Sequence, residues 1–141
     1  MYRINEGSID LPRDWQDRTI NVVSSNPAGP GVSLTITRDD MPWGMAFAEY
    51  VEDQAKQAAQ ALKDFRIDAR RELSVNGAPA IEIECRWTAK QGAIHQLITT
   101  VGAAGGKVLV LTASVGGEMS AAQQAEMRRI VSTLRLERAE G

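Results

Sequence analysis

The stretch Ile67 to Thr88, Ile-Asp-Ala-Arg-Arg-Glu-Leu-Ser-Val-Asn-Gly-Ala-Pro-Ala-Ile-Glu-Ile-Glu-Cys-Arg-Trp-Thr, decides how the rest of the chain is read. Asn76-Gly77 near its middle tolerates positive φ at both turn positions, the strongest short hairpin signal. Ile67 to Val75 reads as the strand entering the turn and Ala80 to Thr88 as the strand leaving it. In the returning strand Ile81, Ile83, Cys85 and Trp87 alternate with Glu82, Glu84 and Arg86, so one face is apolar and the other charged. The charged side is expected to be a solvated strand surface. A second hairpin follows, Gly92 to Ala103 and Lys107 to Val115, around Ala104-Gly105-Gly106. Consecutive strands joined by tight turns imply antiparallel pairing.

Upstream, Val32-Ser-Leu-Thr-Ile-Thr-Arg38 alternates with period two and reads as a strand. It is preceded by the turn-rich Ser25 to Gly31 loop and broken afterwards by Pro42 and Gly44. From Met45 or Ala46 to about Lys63 the period becomes helical. Phe47, Tyr50, Val51, Gln54, Ala55, Ala58 and Leu62 form one stripe, with Glu49, Glu52, Asp53, Lys56, Gln57 and Lys63 facing water. A closing helix starts at Ser120, which makes a capping box with Gln123 and carries Met127, Ile130, Val131 and Leu134 on its apolar side. The tail from Glu137 to Gly141 is polar and expected to fray. At the other end, a short strand beginning at Tyr2 and a corner at Leu11-Pro12 lead to a second strand, where Ile20 and Val22 share a face.

The order is three strands, a helix, four strands, a helix. The expected fold is α+β, a mostly antiparallel sheet of about seven strands with two covering helices, in one domain spanning residues 1–141. Both helices are expected on the face of Ile81, Ile83, Cys85 and Trp87. The last two strands are partly apolar on both sides: Ile98 and Val110 on one, Leu97 and Leu111 on the other. An apolar patch left outside the core would mark an interaction surface.

Hydrophobic residues make up 43% and charged residues 24%, an ordinary globular balance, and the net charge of −2 offers no basic stripe for nucleic acid. Arg70-Arg71 is flanked by Asp68 and Glu72. The longest apolar-rich run, Val108 to Val115, is far below the ~20 residues of a membrane helix. With no basic-then-apolar opening, a cytoplasmic location is expected. Cys85 is the only cysteine, read as a small buried hydrophobe, and His95 the only histidine, read as structural or surface, so neither a disulfide nor a zinc site is expected. Glu82 and Glu84 could pair as carboxylates, but Arg86 follows on the same face. The Gly102 to Gly106 turn lacks the Gly-Lys-Ser/Thr ending of a phosphate loop. No nucleophile has a base and an orienter. No cofactor and no enzymatic activity are expected.

The opening, Tyr2-Arg-Ile-Asn-Glu-Gly-Ser-Ile-Asp-Leu-Pro, with Trp15-Gln-Asp-Arg-Thr-Ile-Asn-Val22, resembles that of the Eag chaperones, encoded beside type VI secretion effectors in Gram-negative bacteria. The likeness continues through Phe47-Ala-Glu-Tyr-Val51 to the paired strands and closing helix. It implies a PsbP-like sandwich that forms homodimers and cradles the hydrophobic N-terminal transmembrane helices of a toxin before export. It also implies that the chaperone can be brought to the secretion spike through that effector, direct contact with the spike being left open, and that it does not insert into the membrane. The family's effector-contacting positions fall on Ile20, Val22 and Gln96 by the match of Thr19-Ile-Asn-Val22 and His95-Gln-Leu-Ile98, with Ile98 beside them. Gln54 and Leu62 on the first helix match as well. The chain departs from the family at Ser24 to Gly31 and at Met41-Pro-Trp-Gly-Met45. The competing readings are an interaction adaptor of the same fold and a small-molecule-binding or enzymatic domain.

Overall fold

A computed structural model describes residues 1–25 and 31–137; the centre of the Ser25 to Gly31 loop and the end of the tail lie outside the described residues. In chain order the elements are β1 (Tyr2–Ile4), β2 (Gly7–Ile9), β3 (Asn21–Ser24), β4 (Ser33–Asp40), α1 (Phe47–Ala61), β5 (Lys63–Val75), β6 (Ala78–Ala89), β7 (Gly92–Gly102), β8 (Lys107–Gly116) and α2 (Ala121–Ser132). The opening segment thus holds two strands where one was expected. The chain reverses at Asn5-Glu6 after only three residues, and β1 and β2 pair with each other in a sheet of their own.

The other six strands form one sheet in the order β3-β4-β8-β7-β6-β5, antiparallel at every pairing. The Asn76-Gly77 turn joins β5 to β6 as expected, with φ of 47° and 88°. Asn76 has a second use: its Nδ2 donates to the carbonyls of Ser132 and Leu134 at 3.1 and 2.6 Å, satisfying acceptors at the end of α2. At the start of α2 the capping box is present, Ser120 Oγ accepting from the Gln123 backbone and the Gln123 side chain accepting from Ser120 N–H.

The helices lie on opposite faces of the sheet, not together on one. α1 connects β4 to β5 at the far edge, so it crosses the sheet, burying Tyr50 and Val51 against Ile81, Ile83, Cys85 and Val108. The Tyr50 hydroxyl donates to Asp39 at 2.6 Å and pins the helix to the end of β4. Burial, with the Asp39 carboxylate beside it, pushes that phenol well above its ordinary value. α2 follows β8 and folds back over the other face, where Met127 and Val131 pack on Leu97, Leu111 and Ala113. Each partly apolar strand face therefore meets a helix of its own.

This placement corrects the reading of Glu82, Glu84 and Arg86 as a solvated surface. Glu82 is buried beneath α2, and Arg128 of that helix reaches it with Nε at 3.2 Å and Nη2 at 3.1 Å. Arg71 on β5 approaches from the side at 3.3 Å. A carboxylate taken from water needs such partners, since an unpaired buried charge is very costly. Arg86 bonds Asp68 at 2.6 Å and both oxygens of Glu118 at 2.9 and 2.8 Å. Arg66, whose Nε donates to Asp68 at 2.7 Å, and then Arg86 hold the Asp68 carboxyl below its usual range, and Arg86 does the same for Glu118.

Candidate functional site

The face under α1 is only partly covered. Cross-strand register sets out what it presents. Val22 on β3 pairs with Thr35, Thr35 with Thr112, Thr112 with Ile98, and Ile98 with Ile83, one row running from the sheet edge to beneath α1. The neighbouring row is Ser24, Ser33, Ser114, Gln96 and Cys85. Ile83 and Cys85 lie under the helix, whereas Val22 is 64% exposed and Ile20, which immediately precedes β3, is 60% exposed. Two exposed aliphatic residues at one edge and a helix at the other bound an open floor. The floor is lined by small hydroxyls and by Gln96 and Ile98.

Between α1 and the sheet this floor deepens into a cleft of about 210 Å³, lined by Val51, Gln54, Ala55 and Ala58 from the helix and by Ile98 and Thr112 from the strands. Shallower and larger hollows lie along the N-terminal segment, including Trp15, and between Arg38 and Leu109, but neither contains these rows. From Val22 to Ile98 is three strand spacings, about 14 Å. An α-helix with its side chains measures about 10–12 Å across.

Of the residues singled out from the sequence, Val22, Gln96 and Ile98 fall on this floor and Gln54 on its helical wall, while Ile20 stands exposed just before β3, two residues from Val22. Leu62 stands apart: it is the C-terminal cap of α1, half-buried, and not among the residues lining the cleft. Sequence reasoning missed Thr35, Thr112, Ser33 and Ser114, whose places follow only from the register between β4, β8 and β7. It also missed what holds Gln96. Gln96 Oε1 accepts the indole N–H of Trp87 at 2.9 Å, its Nε2 donates to Ser114 Oγ at 2.9 Å, and the Cys85 thiol faces the same Oε1 at 3.8 Å. The alternation Cys85–Trp87 and Gln96, two strands joined by a tight turn, was the signal that could have found this cluster.

The titratable groups offer little chemistry. His95 is fully buried with both ring nitrogens bonded inside the protein. The Cys85 thiol is buried, and desolvation pushes it up to about 11, away from a nucleophilic thiolate. Among the described residues no group of three His, Cys, Asp or Glu could hold a metal, and no helix is long and apolar enough to cross a membrane.

These features define an antiparallel α+β sandwich with a helix on each face and, beside one of them, an open floor of small hydroxyls and Gln96 edged by aliphatic residues. The DcrB family matches residues 6–133, and the chain belongs to that family. Effector EagT6 of Pseudomonas aeruginosa is 30% identical over 89 residues, a match spanning 62% of this chain and 62% of that protein. The resemblance to the Eag proteins drawn from the opening strand is borne out by this relative. Among solved structures, a P. aeruginosa protein of unknown function, PA94, shares the fold with a TM-score of 0.78 at 23% identity, covering 98% of this chain and 96% of its own. The cyanobacterial PsbP of Synechocystis gives a TM-score of 0.49 at 13% identity over 81% of this chain and 77% of that one.

Proposed function

We propose that this protein is a non-enzymatic, cytoplasmic chaperone, acting as a homodimer, that shields the hydrophobic N-terminal transmembrane segments of a type VI secretion effector before export. The relation to Effector EagT6 supports an effector as the client. The observation that carries the reading is the joint placement of Val22, Gln96 and Ile98 on one open sheet face beside the α1 cleft, with the exposed Ile20 close to Val22 in the chain.

The physics of the role follows from that face. A segment of ~20 apolar residues exposed in the cytosol aggregates or inserts prematurely, because each buried CH₂ is worth about 0.8 kcal/mol. An aliphatic edge and an apolar helix wall remove that surface from water. The hydroxyl row and Gln96 accommodate the polar groups of the client and discriminate among helices. A single copy offers a floor open at the β3 edge, and a second copy closing the cradle accounts for the exposed Ile20 and Val22.

Co-purification from the native host tests the proposal. The tagged protein is expected to retain a large effector with apolar N-terminal segments and, alone, to scatter light with about twice the 15.3 kDa chain mass. A clean monomer that retains no such effector would overturn it.

A further inference from the structure

We propose that Trp87 is a positioning residue of this groove: its indole N–H orients the Gln96 carboxamide so that the floor presents an N–H donor, which selects apolar helices carrying a hydrogen-bond acceptor. The inference rests on the groove reading above and deepens it by naming the client's chemistry.

Trp87 and Gln96 are diagonal neighbours across β6 and β7, the direct partners being Cys85 with Gln96 and Trp87 with Ile94. A diagonal pair is within reach when one side chain is large and aromatic. An indole N–H only donates, so the amide atom 2.9 Å from Trp87 Nε1 is the oxygen. The Cys85 thiol stands on the same oxygen at 3.8 Å as a second, weaker donor. The amide nitrogen is thereby turned toward β8, where one of its hydrogens goes to Ser114 Oγ at 2.9 Å. A carboxamide nitrogen carries two hydrogens, and the second has no partner among the described residues.

Without Trp87 the two ends of the amide could exchange places, since Ser114 can donate as readily as accept. The groove would then offer an acceptor as often as a donor. With Trp87 in place, a client helix bearing Ser or Thr on the face that meets Gln96 gains a hydrogen bond. A helix bearing only Leu and Ala covers the N–H and leaves it unpaired.

The test uses two labelled, lysine-flanked Leu-Ala peptides of about 20 apolar residues, one with a single central Ser and one with Ala there. Binding to the full chain is followed by fluorescence anisotropy. Wild type is expected to prefer the Ser peptide about fivefold, the equivalent of one net hydrogen bond. Trp87→Phe and Gln96→Leu should each erase the preference, their combination should erase nothing further, and Trp87→His, which restores a ring N–H, should recover part of it. In ¹⁵N spectra of the free protein, the Gln96 side-chain NH₂ signals should shift in Trp87→Phe. This readout needs no client.

A folded Trp87→Phe protein with unchanged Gln96 signals, or one that weakens both peptides equally while keeping the preference, would overturn the proposal. If wild type binds both peptides alike while Val22→Asp abolishes binding, the donor assignment fails and the groove stands. If wild type binds neither, or Val22→Asp binds as wild type does, the groove reading fails and takes the donor assignment with it.

Discussion

His95 Nδ1 accepts the backbone N–H of Met119 at 2.8 Å, joining the middle of β7 to the residue just before the α2 N-cap. An accepting Nδ1 leaves the ring proton on Nε2, which faces a Glu84 carboxylate oxygen at 2.7 Å. One buried ring thus ties two neighbouring strands of the sheet to the segment that leads into the second helix.

Replacing His95 should therefore cost stability rather than function. His95→Ala opens a cavity and strands both a buried N–H and the Glu84 carboxylate, a loss of about 2–4 kcal/mol. Calorimetry should show a Tm lowered by roughly 6–12 °C, with client binding intact at temperatures where the variant is folded. A folded His95→Ala protein that loses client binding would contradict this structural role.

Ile20 and Val22 are more than half exposed, so a charged replacement does not break the core. Ile20→Asp and Val22→Asp should change stability by no more than about 0.5 kcal/mol. Against an apolar client the same carboxylate would be desolvated, at a cost of several kcal/mol unless it escapes to water. Circular dichroism melts should overlay those of wild type while effector capture is lost. Variants that capture the effector normally would remove these residues from the site.

Acid stability should depend on Arg86. Its hydrogen bonds lower the folded-state Glu118 carboxyl from an ordinary value of 4.5 and, after the larger effect of Arg66, add to the lowering of Asp68 from 3.8. A carboxyl lowered in the folded state adds stability that is complete above its unfolded value and is lost as pH falls through the folded one. Melting temperature should hold from pH 7 to about 5 and decline below about 4. Arg86→Gln should flatten that decline, and a variant with the wild-type acid slope would show that the pairs do not matter.

Cys85 should behave in the opposite sense. Burial, aided by the negative charges of Asp68 and Glu84, raises its thiol from 9.0 to about 11. The unfolded chain ionises first, so the stability conferred is complete below 9.0 and is lost as pH rises toward 11. Cys85→Ala should melt lower at neutral pH, from lost packing, but show a shallower alkaline decline. A disulfide reagent at pH 8 should react with wild type only at the rate of opening. Rapid labelling of the native protein would place the thiol outside the core.

Much of the architecture was legible in the sequence because its signals are local. Asn76-Gly77 adopts positive φ by its own backbone preference, and Ser120 with Gln123 caps a helix from three residues away. Period-two runs and the α1 stripe announce strand and helix through side-chain geometry alone. The site residues were reached differently, Ile20, Val22 and Gln96 by resemblance, since nothing local separates an exposed valine from a buried one.

Apart from the short opening hairpin, the sequence by itself determined which segments are strands and helices, that consecutive hairpins pair antiparallel, and that both faces of β7 and β8 carry apolar residues. Only the tertiary structure decided that α1 and α2 take opposite faces, that Glu82 is buried under Arg128, and that Val22, Thr35, Thr112 and Ile98 make one row. Strand order places β4 beside β8 and β5 at the far edge, which sends α1 across one face and leaves the other to α2. That order rests on contacts between residues tens of positions apart, and no local propensity encodes them.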